Sequence, residues 1–298
     1  MKIVIAGGAG TLGRDLVKHF ATQGNEVVVL SRRNVSVEGA RVLVWDGRSV
    51  SEDWARELQD SVLLNLSGEL VDRVPTKANI DLLERSRVEP TNTLVQAARQ
   101  FGTPKLWLQM STLAIYGYAG DQILTEASLP ANGPRQMAGV AKAWEAASAD
   151  ASSIRKVILR TAVVLQPGTP ALNRLVRITK LFLGGQVASG KQWVSWIDYR
   201  DFIRALDFIM KDESLNGIVH VTSPNPVQNK TLMRELRRAL ERPWSPPTPA
   251  FLIRVGARVL FRTDPLLALT GRRATPMKLL ERGFHFQFGS IDQALKDL

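Results

Sequence analysis

Three glycines near the start of the chain have a spacing that suits phosphate chemistry. Gly7, Gly10 and Gly13 stand at G-x-x-G-x-x-G intervals, after the short apolar run of residues 2–6 and before a helical pattern carrying Leu12, Leu16, Val17 and Phe20 on one face. In a strand–turn–helix setting the first glycine permits the tight turn, the second lets backbone approach a pyrophosphate, and the third lets the helix pack on the sheet. The helix start at Thr11 and Leu12 then offers unpaired N–H groups and a positive dipole end to the phosphates. The bland alternative is an ordinary strand-to-helix turn. The end of the next strand selects the cofactor. NAD-type sites carry an acidic residue there for the ribose 2′-hydroxyl, whereas this chain has Ser31-Arg32-Arg33. Two guanidinium forks suit a 2′-phosphate, so the reading is NADP(H), with one of the two arginines as a possible plain surface residue. Asp46, just past the third strand, either accepts from an adenine amino group or closes a turn.

These residues need a scaffold, and the pattern of the chain supplies one. Residues 2–6 and 26–30, with the glycine turn and helix between them, form a βαβ unit of about 30 residues. Further strands are predicted at 41–44, 61–65, 105–110 and 156–159, with helices near Trp54, over 79–101 and over about 136–149. Pro90 predicts a kink or break in the long helix. Repeated alternation argues for an α/β fold, a doubly wound parallel (Rossmann) sheet, with a smaller, mainly helical C-terminal substrate lobe. The expected division is an NADP-binding domain over 1–165 and a lobe over 166–298, with segments around 190–222, including a strand at 218–221, returning to the first domain. A small terminal unit begins near 245, after the prolines at 243, 246, 247 and 249. There is no internal repeat.

Composition narrows the function classes. The 298 residues are 45% apolar and 22% charged, which is globular rather than disordered. There is no cysteine, so disulfides and thiolate-held metals are excluded. His19, His220 and His285 are scattered without ligand spacing, so no metal site is expected. No apolar run is long enough to span a membrane. The opening run is too short for a signal peptide, which makes the cytoplasm the expected compartment. The formal charge is +11, and residues 230–298 carry 13 basic against 6 acidic side chains, a net +7. Arg254, Arg258 and Arg262 recur every four residues, with Phe251, Leu252, Val255, Val259 and Leu260 between them. The favoured reading is a helix packed on the lobe with its arginines in water; the sharper one is a helix on anionic lipid. No nucleic-acid module is present. A basic lobe leaves open an anionic substrate.

Four later segments complete a recognisable set: Asn65-Leu66-Ser67-Gly68, Ser111 to Gly117, Leu159-Arg160-Thr161, and Ser195-Trp196-Ile197-Asp198. With the glycine turn they resemble the extended short-chain dehydrogenase/reductases, the superfamily of the sugar-nucleotide epimerases and dehydratases. The ending Gly271-Arg272-Arg273…Pro276…Leu279-Leu280…Gly283-Phe284…Phe286 is similar to an epimerase-like branch with a small C-terminal domain. The resemblance implies that Asn65, Ser67 and Gly68 lie beside the cofactor. It makes Thr112 the hydroxyl that bonds the reacting oxygen, and puts Arg160 and Thr161 near the nicotinamide. It sets Ser195 to Asp198 under the substrate pocket, with Asp198 where the branch usually has histidine.

The superfamily's Tyr-x-x-x-Lys pair is missing. Aligned on Trp144-Glu145, its positions hold Met137 and Ala141, and Lys142 is one residue off, about 100° around a helix. Tyr116, Tyr118, Asp198 and Lys191 remain as candidate catalytic groups, of which Tyr116 is ordinarily a packing residue in the family. The resulting expectation is an NADP(H)-binding oxidoreductase or epimerase-like protein acting on a small carbonyl or sugar-nucleotide-like substrate. Its rival is a non-catalytic NADP(H) sensor or protein-interaction module, and a homodimer is expected by analogy only. Replacing both Arg32 and Arg33 with Ala should weaken NADPH binding by roughly 10- to 100-fold, the worth of one charged hydrogen bond or two. NADH binding should change far less. Equal losses in parallel titrations would remove the 2′-phosphate role.

Overall fold

The computed structural model describes residues 1–259 and 262–298. Its centre is a seven-stranded parallel sheet, built from β1 (Lys2–Ala6), β2 (Glu26–Ser31), β3 (Arg41–Val44), β4 (Val62–Asn65), β5 (Leu106–Thr112), β6 (Arg155–Thr161) and β7 (Gly217–Val221). The spatial order is β7-β6-β5-β4-β1-β2-β3. The inner strands are continuous runs of apolar residues because both their faces are covered. Along β1, Ile3 and Ile5 enter a core with Leu16, Phe20, Phe202 and Leu206. Val4 and Ala6 enter the opposite core with Trp54, Leu58, Leu94 and Trp107. Helices α1 (Thr11–Thr22) and α5 (Tyr199–Lys211) cover the first face, and α2 (Lys77–Phe101), with α3 (Val140–Ala147) against it, the second. The chain winds outward in both directions from the β4/β1 pair, so the crevice at the C-terminal ends of these strands is where such sheets take ligands.

Two helix expectations change. Pro90 does not break α2, which runs unbroken from Lys77 to Phe101. The hydroxyls of Thr91 and Thr93 donate to the Arg87 and Glu89 carbonyls at 2.7 and 3.0 Å, and the proline ring rests against Gly47. The bond Pro90 cannot make is the one to the Ser86 carbonyl, and the helix continues without it. The segment expected as one helix from about 136 starts instead as a π-turn over Arg135–Gly139 and becomes α-helical only at Val140.

The C-terminal lobe is mainly helical, with α4 (Pro170–Lys180), α6 (Asn229–Ala239) and α7 (Ala250–Val259). Leu165, Leu172, Trp196, Leu232, Leu236 and Leu295 form its core. The arginines of α7 stand in water as the packed-helix reading has them, but most of the large apolar residues between them are not buried. Phe251, Leu252, Val255 and Val259 are 62, 49, 59 and 69% exposed, and Ala257 is the buried residue of the helix. The helix rests on the lobe through its small-residue side, so its large apolar residues join Arg254 and Arg258 at the surface. Leu260, named with that stripe, lies outside the described residues.

One buried polar chain ties the far half of the sheet together. Arg160 on β6 makes a two-pronged contact with Glu145 of α3, with Nε–Oε1 and Nη2–Oε2 both at 2.9 Å. Its Nη1 donates to the Tyr116 hydroxyl at 2.7 Å. That hydroxyl lies 2.6 Å from His220 Nε2 on β7, and His220 Nδ1 lies 3.0 Å from the Thr275 carbonyl. A carbonyl only accepts, so Nδ1 carries the proton and Nε2 accepts from Tyr116. Burial pushes His220 down from 6.5 to about 4. Between those pH values the unfolded chain takes up a proton that the folded chain refuses, so stability is full above about 6.5 and lost as pH falls through about 4. The loss is roughly 3 kcal/mol. Urea unfolding at pH 7 and pH 4.5 should show this slope in the wild type and a shallower one in His220→Gln. Identical slopes would refute the assignment.

Candidate cofactor and active site

The site is built from the glycine turn up. Gly7 has φ +82°, and a Cβ there would stand 3.2 Å from the Leu66 carbonyl and the Ser67 nitrogen, so the turn lies directly on the exit of β4. At Gly13 a Cβ would come within 2.5 Å of the Gly8 carbonyl oxygen, which is how α1 packs so closely under the turn. At Gly10 the nearest atom is 3.7 Å away, so the outer side of the turn is open to an approaching group. Gly10 is also the N-cap of α1 and provides no side-chain cap. The first amides, of Thr11, Leu12 and Gly13, therefore face the crevice without intrahelical partners.

Ser31 folds the end of β2 into a turn. Its hydroxyl donates to the Arg33 carbonyl at 2.8 Å and accepts from the Arg33 amide at 3.2 Å, leaving Arg32 and Arg33 both exposed. Arg32 reaches Glu69 at 3.0 Å, and Arg73 reaches the other oxygen of the same carboxylate at 3.2 Å. Arg32, more than Arg73, holds Glu69 below the usual carboxylate range. Asp46 shows its turn role: its Oδ1 accepts from the amides of Arg48 and Ser49, both at 2.8 Å.

The β4 exit is shaped from below. Asn65 is fully buried. It donates to Thr91 Oγ1 and Gln109 Oε1 at 2.9 and 3.1 Å and accepts from the Ser67 amide at 3.1 Å. Asn65 thus sets the course of the loop and does not itself reach into the crevice. Gly68 leaves room for the Arg87 guanidinium, 3.0 Å from where a Cβ would stand. Arg87 donates to the Glu69 carbonyl at 2.8 Å and lies over Trp144 at 5.0 Å. Ser67 Oγ is shielded from solvent and has no partner among the described residues.

At the end of β5, Thr112 caps the tight turn of Leu113–Tyr116, accepting from the Ala114 amide at 3.1 Å. Its hydroxyl proton has no acceptor among the described residues, so Thr112 keeps a donor to offer. The other proposed groups are committed elsewhere. Tyr116 and Arg160 belong to the buried chain described above. Asp198 caps α5, accepting from the Arg200 amide at 2.8 Å and from Arg200 Nε and Nη2 at 2.9 Å each. Their attractive residue types concealed structural partners, near in sequence for Asp198 and distant for Tyr116. Tyr118 and Lys191 are exposed. No cluster of metal-ligating side chains occurs among the described residues.

Met137 and Ala141 are buried. The π-turn, with Gly139 N donating to the Pro134 carbonyl at 3.4 Å, ends at Gly139, so Ala141, Lys142 and Trp144 lie together in the regular helix and Lys142 keeps its offset of about 100° from Ala141. Sequence reasoning passed over two groups that the terminal unit sends to this segment. Asp264, buried, accepts from Gln136 Nε2 at 3.1 Å. Arg272 places Nη2 3.1 Å from Met137 Sδ. Arg272 was visible in the terminal motif, but nothing in its spacing indicated a neighbour 135 residues away.

With this geometry in hand, the likenesses to known proteins can be placed. Residues 3–221 match the model of the NAD dependent epimerase/dehydratase family, and residues 248–298 match a domain of unknown function, DUF1731. The chain is 32% identical over 298 residues to the epimerase family protein MT2273 of Mycobacterium tuberculosis, covering 98% of this chain and 96% of that one. It is 29% identical over 305 residues to the epimerase family protein YfhF of Bacillus subtilis, covering 100% and 98%. The crystal structure of human epimerase family protein SDR39U1 (isoform 2) with NADPH aligns at a TM-score of 0.86 and 25% identity, covering 100% of this chain and 98% of that one.

The glycines make a paired test. Gly13→Ala must push a methyl group onto the Gly8 carbonyl and should lower stability by roughly 1–3 kcal/mol. Gly10→Ala has room and should unfold within about 0.5 kcal/mol of the wild type, yet bind dinucleotide more weakly. Equal losses of stability in urea would contradict the distinct roles of the two positions.

Proposed function

The chain belongs to the NAD dependent epimerase/dehydratase family, and on that premise we propose that it is an NADP(H)-dependent oxidoreductase of epimerase type, acting on a small carbonyl or sugar-nucleotide-like substrate. The observation that carries this reading is the uncapped start of α1 beneath the open face of Gly10, with Arg32 and Arg33 exposed one strand away. The residues present fit the cofactor. The amides of Thr11 to Gly13 suit a pyrophosphate, the two arginines suit a 2′-phosphate, and the loop after β4 carries an unpartnered Ser67 hydroxyl. The NADPH bound by the human relative supports the choice.

A bound nicotinamide supplies hydride exchange with the substrate carbon. The chain's own part is to bind, orient and polarise. Thr112 donates its spare proton to the substrate oxygen. The buried apolar pair Met137 and Ala141, standing where the proton relay is expected, favours a second reading: an NADP(H) sensor that binds without turning over.

Fluorescence titration should show NADPH binding at least tenfold tighter than NADH, and equal affinities would remove the NADP assignment. A panel of small carbonyl compounds should reveal NADPH oxidation that falls roughly 100-fold in Thr112→Val, the scale of one lost oxyanion donor. Tight NADPH binding without turnover across the panel would replace the enzyme reading with the sensor.

A further inference from the structure

Shielded arginines in this fold find acceptors. Arg87 donates to the Leu83 and Glu69 carbonyls, Arg160 to Glu145 and Tyr116, and Arg155 to the carbonyls of Ile209, Met210, Asp212 and Leu215. Arg272 departs from this pattern. Its Nη2 meets only the Met137 thioether, and its Nε is shielded from solvent with no hydrogen-bond partner among the described residues. Burial pushes the group down to about 10, so it stays cationic at neutral pH. Arg272 is half-buried; a thioether is a weak acceptor, and its shielded Nε has lost water without gaining a partner.

The fold nevertheless fixes this residue firmly. At Gly271 a Cβ would collide with the Trp193 backbone, 2.1 Å from its carbonyl oxygen. The Arg272 amide donates to that carbonyl at 3.0 Å. Ser195 Oγ donates to the Arg272 carbonyl and accepts from the Ala274 amide, both at 2.9 Å. The side chain therefore leaves a clamped backbone and ends on the π-turn of Met137, which packs against the turn following Thr112. This is the substrate end of the crevice in the reading above, on which the following inference rests.

We propose that Arg272 recognises a carboxylate on the substrate. The carboxylate displaces the flexible Met137 thioether from Nη2 and takes Nε as its second donor. Nε–H and Nη2–H point side by side, a planar fork that matches the two oxygens of a carboxylate. Met137 keeps the fork covered in the unliganded protein, and a thioether side chain repacks at little cost.

Calorimetry on the full chain tests this, with benzoate as the probe, benzamide as its neutral isostere and inorganic phosphate as the competing anion, each with and without NADPH. Benzoate should bind at least tenfold tighter than benzamide. Arg272→Gln should abolish that preference, and Arg272→Lys should retain only part of it. Equal binding of benzoate and benzamide, or a preference that survives in Arg272→Gln, overturns the proposal, as does phosphate binding tighter than benzoate. Should Arg272→Gln fail to fold, the methyl NMR signal of Met137 in the wild type decides: it shifts with benzoate and not with benzamide, and an unmoved signal overturns the proposal. Failure of the wild type to bind NADPH would refute the cofactor reading separately, because benzoate binding is also measured without NADPH.

Discussion

The absence of a Cβ at Gly13 is the constraint on which the nucleotide end of this molecule depends. With the Gly8 carbonyl oxygen only 2.5 Å from where that atom would sit, α1 can begin directly beneath the turn that leaves β1. The turn in turn rests on the exit of β4, through the close contact of Gly7 with Leu66 and Ser67. These close backbone approaches set where α1 begins and hold the turn against the loop that leaves β4. Asn65 and Arg87 hold that loop from beneath, so its shape is decided by buried hydrogen bonds before any ligand arrives.

Much of this was readable from local pattern. Ile3 to Ala6 and Val27 to Leu30 are runs whose burial on both sides only a covered parallel sheet allows, and a glycine turn opening a helix has few other uses. Boundaries moved by a residue or two, as at β5, which extends to Thr112. The readings that changed each depended on surroundings that residue type and spacing do not announce. Pro90 looked like a break, yet α2 continues through it. Asp198 looked like a free carboxylate, but Arg200 occupies both its oxygens. Tyr116 and Arg160 belong to a chain that reaches Thr275. Arg272 went unnoticed for the same reason, since only the fold brings the terminal motif to Met137.

The basic excess of the chain also divides into physically different parts. Several arginines are consumed internally, where they hold carbonyls and carboxylates in place. Arg32 is already paired with Glu69 at the surface, so an incoming anion must compete for it. Exposed pairs of that kind contribute little stability, which keeps the exchange inexpensive. Arg272 is different because no internal acceptor satisfies it. A sequence-level count of charge mixes all of these, and only burial and partners separate them.

Helix α7 carries a colloidal consequence. Its apolar stripe faces outward on a chain with eleven excess positive charges, so two copies meeting at low ionic strength repel before their stripes can touch. Near physiological salt the screening length falls to about 8 Å, and short-range adhesion between stripes is no longer held off. Ionic strength therefore sets how crowded a solution of this protein can become before it self-associates, and dilute buffer, rather than salt, keeps the molecules apart.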